Sequence, residues 1–184
     1  MGTDKGLVLL NEKPLYSYAL SVLEHCCSEI LIAGSSGKLY NTSYQVVMDV
    51  YAEQGPAAGI HAALQAATNQ ICIVLSVDLP FVDPILLNHM LNNLGDSMAV
   101  APVHADGKVE PLCAVYHKSC IPAFEKALTL DHNKILDILN SVNFKQLHLF
   151  NENENVLNKA FTNINTPEDL AQAQTFFKVN AKKT

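Results

Sequence analysis

Short apolar runs and longer amphipathic segments alternate along the chain, and this alternation is typical of an α/β domain. The apolar run Ile71–Val77 has the character of a strand buried on both faces of a sheet. Six segments predict strands, the last of them at a sheet edge: Glu29–Ala33, Gln45–Met48, Ile71–Val77, Met98–Val103, Leu112–Tyr116 and Gln146–Phe150. The expected sheet is mostly parallel.

Helices are predicted where apolar residues recur at helical spacing behind a proline or a capping residue. Pro14 opens the first helix, Asp83 and Pro84 open one that reaches about Leu94, and Thr166 caps the last. Three further segments predict helices: Ile60–Ala67, Lys118–Leu128 and Asn133–Ser141. No repeat or linker interrupts the pattern, so residues 1–184 are expected to form a single domain.

The beginning of the chain departs from the usual order of a doubly wound domain, which opens with a core strand and a glycine-rich turn. Here a loop leads directly into the helix that starts near Pro14. The pattern therefore predicts either that the first central strand is missing or that the fold is unusual.

Composition narrows the possible functions. The chain has 49% apolar and 16% charged residues and a net charge of −6, without a basic block, which argues against a nucleic-acid partner. All 12 basic residues are lysines, so a phosphate site must use lysine, backbone N–H groups or a metal ion. No membrane span and no signal peptide are visible, and a cytoplasmic location is expected.

Cysteine and histidine give no sign of a metal centre. The five cysteines are odd in number and form no C-x-x-C motif, so buried, reduced thiols are expected. The seven histidines include no H-E-x-x-H pair, which makes a zinc site improbable. His61 could line a cleft, but a packed or solvated histidine is the better interpretation.

Two aspartates follow predicted strands, and the carboxyl ends of parallel strands form the ligand crevice of such sheets. Asp78 follows the most apolar strand and could hold Mg²⁺, which takes few protein ligands and is shared with substrate phosphates. An ordinary turn-capping role for Asp78 is equally consistent with its position. Asp49 could bind a metal or a nucleotide's sugar or base edge, and a simple turn role is slightly favoured.

Three other segments are weaker candidates. Gly55–Gly59 places small residues at a helix N-terminus, where free N–H groups suit an anion, although tight packing explains them too. Lys5 could supply a point charge for phosphate. Asn163 and Asn165 lie on one side of an extended segment and could bind a heterocycle or phosphate, or simply satisfy the helix cap.

The order and spacing of five motifs resemble the molybdenum cofactor guanylyltransferase family, from about residue 3 to Gln174. The matching segments are Asp4-Lys5-Gly6-Leu7 with Asn11-Glu12-Lys13-Pro14-Leu15, Asp49 with Gly55-Pro56-Ala57-Ala58-Gly59-Ile60, Asp78-Leu79-Pro80-Phe81, Glu110-Pro111-Leu112 to Tyr116, and Phe161 to Leu170. The resemblance implies a Rossmann-like nucleotidyltransferase fold, a three-layer sandwich, and transfer of GMP from GTP to molybdenum-bound molybdopterin with release of diphosphate.

The resemblance also implies roles for individual residues. Asp78 would hold Mg²⁺, Lys5 would contact GTP and act with Asp78 in catalysis, and Asp49 would bind the guanosine. The Gly55–Gly59 segment would shape the GTP side of the cleft, and Asn163 and Asn165 the molybdopterin side. The implied partners are GTP, molybdopterin and other proteins of molybdenum cofactor biosynthesis or molybdoenzymes, with no nucleic acid and no membrane.

The chain departs from the family pattern most clearly before Met1-Gly2. The family there has a strand followed by L-A-G-G-x-S-x-R, whose glycines and arginine would hold phosphates. The chain as given is therefore expected to have an incomplete sheet and little activity, and a start codon assigned too late is the simplest account. Smaller departures are Ala58 for leucine, Glu12 for glycine, and Ala33 for a polar residue.

Three alternatives remain open at this stage. A related transferase could use CTP for the same pterin, and sugar-phosphate nucleotidyltransferases share the fold but usually carry further elements. From another class, a non-catalytic module could bind pterin or a protein partner through the segment around Asn163 and Asn165.

Overall fold

The computed structural model describes residues 4–34, 40–104, 106–148 and 159–180, and the side chains of the last four of these are left undescribed. Its strands are β1 (Leu9–Leu10), β2 (Lys13–Pro14), β3 (Leu31–Ala33), β4 (Gln45–Val47), β5 (Ile71–Leu75), β6 (Ala99–Val103), β7 (Cys113–His117) and β8 (Phe144–His148). Its helices are α1 (Leu15–Cys26), α2 (Gly55–Ala66), α3 (Pro84–Asn92), α4 (Ile121–Thr129), α5 (Ile135–Leu139) and α6 (Pro167–Asn180). Short 3₁₀ turns cover Lys5–Leu7 and Lys118–Cys120.

The main sheet has four strands in the order β5-β7-β6-β8, of which β5, β6 and β8 run in one direction, as expected for a mostly parallel sheet, while β7 runs against them. β6 and β8 run parallel, but β7 is antiparallel to both β5 and β6. The reason is the tight connection from β6 to β7, in which His104 N donates to Lys108 O at 2.8 Å and Gly107 has a φ of 86°. A hairpin of this kind can only join antiparallel strands.

Helices cover both faces of this sheet and make the three-layer α/β sandwich that was expected. Along β6 the side chains alternate between two cores, because successive residues of a strand point to opposite faces. Ala99 and Ala101 pack with residues of α2, α4 and α5, whereas Val100 packs with residues of α3. A smaller cluster joins Leu10 and Leu15 to Ile164 and to Ala173 of α6.

The sheet is interrupted between β3 and β5. β3 pairs in parallel with β4, β5 pairs with β7, and the two sheets share no ladder in the described part of the chain. All residues of β6 are buried, whereas no residue of β3 or β5 is fully buried. A strand position between β3 and β5 is thus open in the described part of the chain.

The observed boundaries of helices and strands differ most from the predicted ones where the local sequence signals are ambiguous. The Gly55–Gly59 segment is itself the first turn of α2, so the helix begins five residues before the predicted Ile60. The segment Lys118–Leu128 divides into a 3₁₀ turn and α4, and the predicted edge strand is β8, which starts at Phe144. Residues 149–150 of the predicted edge strand lie outside the described residues.

The segment before α1, predicted as a loop, contains the small antiparallel hairpin β1–β2. Its two turn residues, Asn11 and Glu12, have φ values of 49° and 67°. The asparagine suits this left-handed backbone, and glycine would suit the second position better than glutamate does.

The five cysteines, expected to be buried and reduced, are buried only in part. All five cysteines are free thiols, but Cys113 and Cys120 are buried while the other three are half-buried. Among the described helices none combines the length and apolar character needed to cross a bilayer.

Candidate active site

Lys5 is placed by the 3₁₀ turn at Lys5–Leu7, which is fixed by its cap. The Oδ1 atom of Asp4 accepts a hydrogen bond from Gly6 N at 2.7 Å and another from the hydroxyl of Tyr40 at 3.1 Å. Burial, with the Asp4 carboxylate a smaller cause, raises the pKa of Tyr40 well above its usual value, so its hydroxyl stays protonated as the donor. The turn therefore presents Lys5 from a locally rigid backbone.

Lys5, Asp78 and Asn165 come together, although they lie in distant parts of the sequence. Lys5 Nζ donates to Asn165 Oδ1 at 2.6 Å and lies 4.0 Å from Asp78 Oδ2. The Lys5 side chain is 46% exposed and the Asp78 side chain 17%, so the cation faces solvent while the carboxylate lies deeper. Three of the residues predicted to form the site thus form one polar group.

Asp78 lies three residues after β5, in a turn that is closed by a hydrogen bond of 3.3 Å from Leu79 N to Ser76 O. Its backbone carbonyl accepts from Ile164 N at 3.0 Å, which joins this turn to the segment before α6. Its Oδ1 atom is buried and has no hydrogen-bond partner among the described residues. A buried carboxylate oxygen without a donor is costly unless a ligand satisfies it.

This orphaned oxygen fits a hard divalent cation. Mg²⁺ is bound by one or two carboxylates together with substrate phosphates, rather than by a cage of protein ligands. No group of three or more histidine, cysteine or acidic residues capable of holding a metal occurs in the part of the chain that the structure covers. The donor set around Asp78 therefore suits a cation that is shared with a phosphate ligand.

The segment that carries the two asparagines is held by a reciprocal cap at the start of α6. Asp169 Oδ2 accepts from Asn165 N and from Thr166 N, both at 2.9 Å, while Thr166 Oγ1 accepts from Asp169 N at 3.1 Å. These bonds, led by the one from Asn165 N, lower the pKa of the Asp169 carboxyl. Asn163 makes a long contact of 3.5 Å from Nδ2 to Phe161 O, so its amide is weakly held.

Asp49, Gly55 and Gly59 form a second group. Asp49 follows β4, its Oδ1 atom is buried without a partner in the described structure, and burial raises the pKa of its carboxyl. A methyl group added at Gly59 would lie 3.7 Å from this oxygen. Gly55 is the first residue of α2, and the preceding Gln54 gives no side-chain cap, so the first N–H groups of the helix are left for another acceptor.

The two groups lie on opposite sides of the gap between β3 and β5. A cavity of about 300 Å³ in this gap is lined by Ala33 and Gly59 on one side and by Ser76 and Val77 on the other. No hydrogen bond or ion pair joins Asp49 to Lys5 or Asp78 in the described structure. The structure thus brings Lys5, Asp78 and Asn165 together, and it places Asp49 with Gly59 in a separate group.

His61 is not a cleft residue. It is 1% exposed, its ring meets Tyr51 edge-on at 5.3 Å, and neither ring nitrogen has a hydrogen-bond partner among the described residues. Burial is the main cause that lowers the pKa of its imidazole. The packed alternative from the sequence is therefore confirmed.

One polar cluster was missed by sequence reasoning. Glu110 is only 6% exposed, and its Oε2 atom accepts from His104 Nε2 at 3.2 Å and from Lys108 Nζ at 3.4 Å. The His104 ring also contacts Phe161, at 4.7 Å between centroids, so the cluster borders the segment that carries Asn163. A turn separates His104 from Lys108 and Glu110, and no spacing motif in the sequence reveals the cluster.

Comparison with known proteins agrees with this architecture. The model of the MobA-like NTP transferase domain matches residues 1–148. A protein of Pelotomaculum thermopropionicum named "probable molybdenum cofactor guanylyltransferase" is 33% identical over 180 residues, which are 95% of this chain and 85% of that protein. A protein of Carboxydothermus hydrogenoformans with the same name is 31% identical, over 97% of this chain and 91% of that protein.

Solved structures share the fold as well. Molybdopterin-guanine dinucleotide biosynthesis protein A from Archaeoglobus fulgidus superposes with a TM-score of 0.82 and 28% identity, covering 97% of this chain and 92% of that chain. The 2-C-methyl-D-erythritol 4-phosphate cytidylyltransferase of Thermus thermophilus has a TM-score of 0.72 at 18% identity, covering 95% of this chain and 94% of that one, which shows the common fold alone.

The fold and the relatives together define a nucleotidyltransferase with an α/β sandwich architecture. More specifically, the chain belongs to the MobA-like NTP transferase family, among the molybdenum cofactor guanylyltransferases.

Proposed function

We propose that this chain transfers GMP from GTP to molybdenum-bound molybdopterin and releases diphosphate. The observation that carries the proposal is the grouping of Lys5 and Asn165 with Asp78, which follows β5, in a chain from this family. An oxygen of the pterin's terminal phosphate forms a bond to the α-phosphorus of GTP. The bond from that phosphorus to the bridging oxygen breaks, and its electron pair leaves with diphosphate.

Lys5 would stabilise negative charge in this reaction. Phosphoryl-type transfer depends on in-line positioning and on neutralising negative charge, more than on covalent help from the protein. The Lys5 ammonium is half exposed and is held by Asn165, so it can contact a triphosphate without a large rearrangement. The chain contains no arginine that could replace it.

Asp78 would hold the divalent cation, Mg²⁺, through the carboxylate oxygen that is otherwise buried without a partner. Such an ion would supply charge neutralisation at the phosphates of GTP. Among the described residues, the Lys5 cation lies 4.0 Å from the Asp78 carboxylate and stabilises its charge. A carboxylate oxygen buried in this way is better explained by ligand binding than by a contribution to folding stability.

Asp49 and the start of α2 would bind the nucleoside part of GTP. The orphaned Asp49 Oδ1 can accept a hydrogen bond from a ribose hydroxyl or a base N–H. Gly59 leaves room beside it, since a Cβ there would lie 3.7 Å from this oxygen, and Gly55 adds no side chain at the start of the helix. Asn163 and Asn165 then face the pterin side, next to the segment anchored by Asp169.

Replacement of the Asp78 carboxylate tests the proposal. We expect Asp78→Asn to remove Mg²⁺-dependent GTP binding in calorimetry and to reduce diphosphate release by roughly a hundredfold or more, with an unchanged melting temperature. Asp137→Asn, on the exposed face of α5, is the matched control and should keep both properties. A folded Asp78→Asn protein with full activity would refute the assignment, and equal turnover of CTP would refute the base preference.

A further inference from the structure

A second group of charged side chains, the Glu110 cluster, consists of Glu110, His104 and Lys108. The Glu110 carboxylate is buried, and its Oε2 atom accepts from both His104 Nε2 and Lys108 Nζ. Because two donors share this oxygen, the carboxylate does not serve as the private counter-ion of Lys108. The cluster therefore holds the lysine in place while its positive charge remains available to a further anion.

The Glu110 cluster lies at the same edge of the sheet as the Asp78 carboxylate. Glu110 opens the turn before β7, in which Cys113 N donates to Glu110 O at 3.1 Å. Asp78 lies in the turn that begins at Ser76, after β5. A hydrogen bond of 2.8 Å from Ser76 N to Leu112 O joins the two turns. The two carboxylates therefore belong to neighbouring turns on adjacent strands.

The segment from Phe161 to Asn165 connects the same two places a second time. At one end the ring of Phe161 contacts that of His104, at 4.7 Å between centroids. Near the other end Ile164 N donates to Asp78 O at 3.0 Å. An extended chain advances by at most about 3.6 Å per residue, so the ends of this segment lie at most about 14 Å apart. One ligand bound along the segment can touch both groups.

Lys108 is the member of the Glu110 cluster that can reach such a ligand. Its side chain is 59% exposed, compared with 18% for His104 and 8% for Glu110. An ammonium group has three donors, and the contact with Glu110 Oε2, at 3.4 Å, uses one of them. The hairpin turn also fixes the backbone here, because Asp106 Oδ1 accepts from Lys108 N at 3.0 Å.

The proposed transfer needs a second cation because it brings two anions together. A phosphate monoester carries a charge of about −1.5 to −2 at pH 7, so the attacking oxygen is already ionised and needs no general base. It needs a positive charge that offsets its repulsion from the triphosphate. Lys5 is assigned to GTP, and the chain contains no arginine that could serve the acceptor.

We propose that Lys108 binds the terminal phosphate of molybdopterin, the acceptor, while Lys5 binds GTP. This inference rests on the proposed function and divides its two phosphate substrates between two lysines. Lys108 is then a determinant of specificity: it favours a phosphorylated pterin over the same pterin without its phosphate. Glu110 is a positioning residue, which acts through Lys108.

Anaerobic calorimetry with purified molybdopterin tests the inference on the full chain. We expect Lys108→Met to weaken molybdopterin binding by roughly tenfold or more, the loss of a charge-assisted hydrogen bond, and to leave the affinity for GTP with Mg²⁺ unchanged. Molybdopterin whose phosphate has been removed enzymatically should bind Lys108→Met as well as it binds the unmodified chain. Lys108→Arg keeps the cation and should retain most of the affinity.

Lys126→Met, at an exposed position of α4, makes the same change in net charge and should leave all three affinities unchanged. If Lys108→Met lowers the melting temperature but binds molybdopterin normally, Lys108 is only a partner of Glu110 and the inference is wrong. An equal loss of affinity for the pterin without phosphate would also overturn it. Failure of the unmodified chain to bind both GTP and molybdopterin would refute the proposed function itself, and the inference with it.

Discussion

The ammonium nitrogen of Lys5 lies 2.6 Å from Oδ1 of Asn165, across 160 positions of sequence. The bond joins the first turn of the described chain to the segment before α6, and the Asp78 carboxylate lies beside it at 4.0 Å. Because Asn165 is itself held by the Asp169 carboxylate, a chain of polar contacts runs from the cap of α6 to the lysine. The lysine is thereby oriented before any substrate binds.

The first prediction concerns this orientation. We expect Asn165→Ala to weaken GTP binding by about 0.5–1.5 kcal/mol, the usual net value of one hydrogen bond. In a double-mutant cycle with Lys5→Ala, the two losses should not add, because each variant breaks the same contact. Calorimetric titration of the four proteins with GTP and Mg²⁺ measures the coupling. Strictly additive losses would show that Asn165 acts independently of Lys5.

A second prediction separates stability from binding at Gly59. Alanine in a helix interior is about 1 kcal/mol more favourable than glycine, and the new methyl group would make only ordinary contacts with Ala33 and Asp49. Gly59→Ala should therefore raise the free energy of unfolding in urea. The methyl group also occupies the space beside the orphaned Asp49 oxygen, so GTP affinity should fall.

Gly55→Ala is the contrasting variant on the same helix. Gly55 has a φ of 62° and nothing near its missing Cβ, so alanine there should destabilise the protein by backbone strain of about 1–2 kcal/mol. If the Gly59→Ala protein is stabilised but binds GTP with normal affinity, the assignment of Asp49 to the nucleoside site is wrong.

The sequence could predict those parts of the site whose signal lies in neighbouring residues of the chain. Asp78 follows an apolar strand, and its position at the strand end came from that pattern alone. The caps at Asp83 and Thr166 were also local and are present, with Asp83 Oδ1 accepting from Leu86 N at 2.9 Å. By contrast, the contact of Lys5 with Asn165 and the stack of Tyr16 on Tyr40 depend on tertiary packing, which no periodicity encodes.

The sheet shows the same limit. An apolar run predicts a strand but not its direction, so the antiparallel β7 was not foreseen. The direction was set by the hairpin around Gly107, whose residues resemble an ordinary loop. The loop that precedes the first helix predicted either a missing first central strand or an unusual fold, but hydropathy alone does not place the open position between β3 and β5.

The turn of the β1–β2 hairpin gives a third prediction. Glu12 has a φ of 67°, and left-handed backbone costs a non-glycine residue roughly 1–2 kcal/mol. We expect Glu12→Gly to stabilise the protein by up to about 1 kcal/mol, because the strain relieved exceeds the added entropy of the unfolded chain. Glu12→Ala removes the same carboxylate but keeps the strain and should give no gain. Urea denaturation of both variants makes the comparison.

Acid stability provides a fourth prediction, at the cap of α6. The hydrogen bonds from Asn165 N and Thr166 N hold the pKa of Asp169 below its unfolded value. Their contribution is therefore complete above the unfolded pKa of about 4 and is lost as the pH falls through the folded pKa. Asp169→Asn should lower the melting temperature at pH 7 and reduce its dependence on pH in the acid range.

Glu168→Gln is the control for this effect, because its exposed side chain lies in the same first turn of α6. It should change the melting temperature little. Equal losses in the two variants would attribute the effect to the helix dipole rather than to the specific bonds to Asn165 and Thr166.

The last prediction concerns the buried imidazole of His61. Burial lowers its pKa, and the opposing effect of the Glu125 carboxylate is smaller, so the folded protein binds this proton less readily than the unfolded chain does. Stability must then decrease as the pH falls below the unfolded pKa of about 6.5. His61→Phe removes two unpartnered ring nitrogens while keeping a flat ring against Tyr51, and it should stabilise the protein by about 1–3 kcal/mol. Urea unfolding at pH 7.5 and pH 5.5 measures both effects, with His89→Phe on the exposed side of α3 as control. A pH dependence that is unchanged in His61→Phe would show that another group titrates in this range.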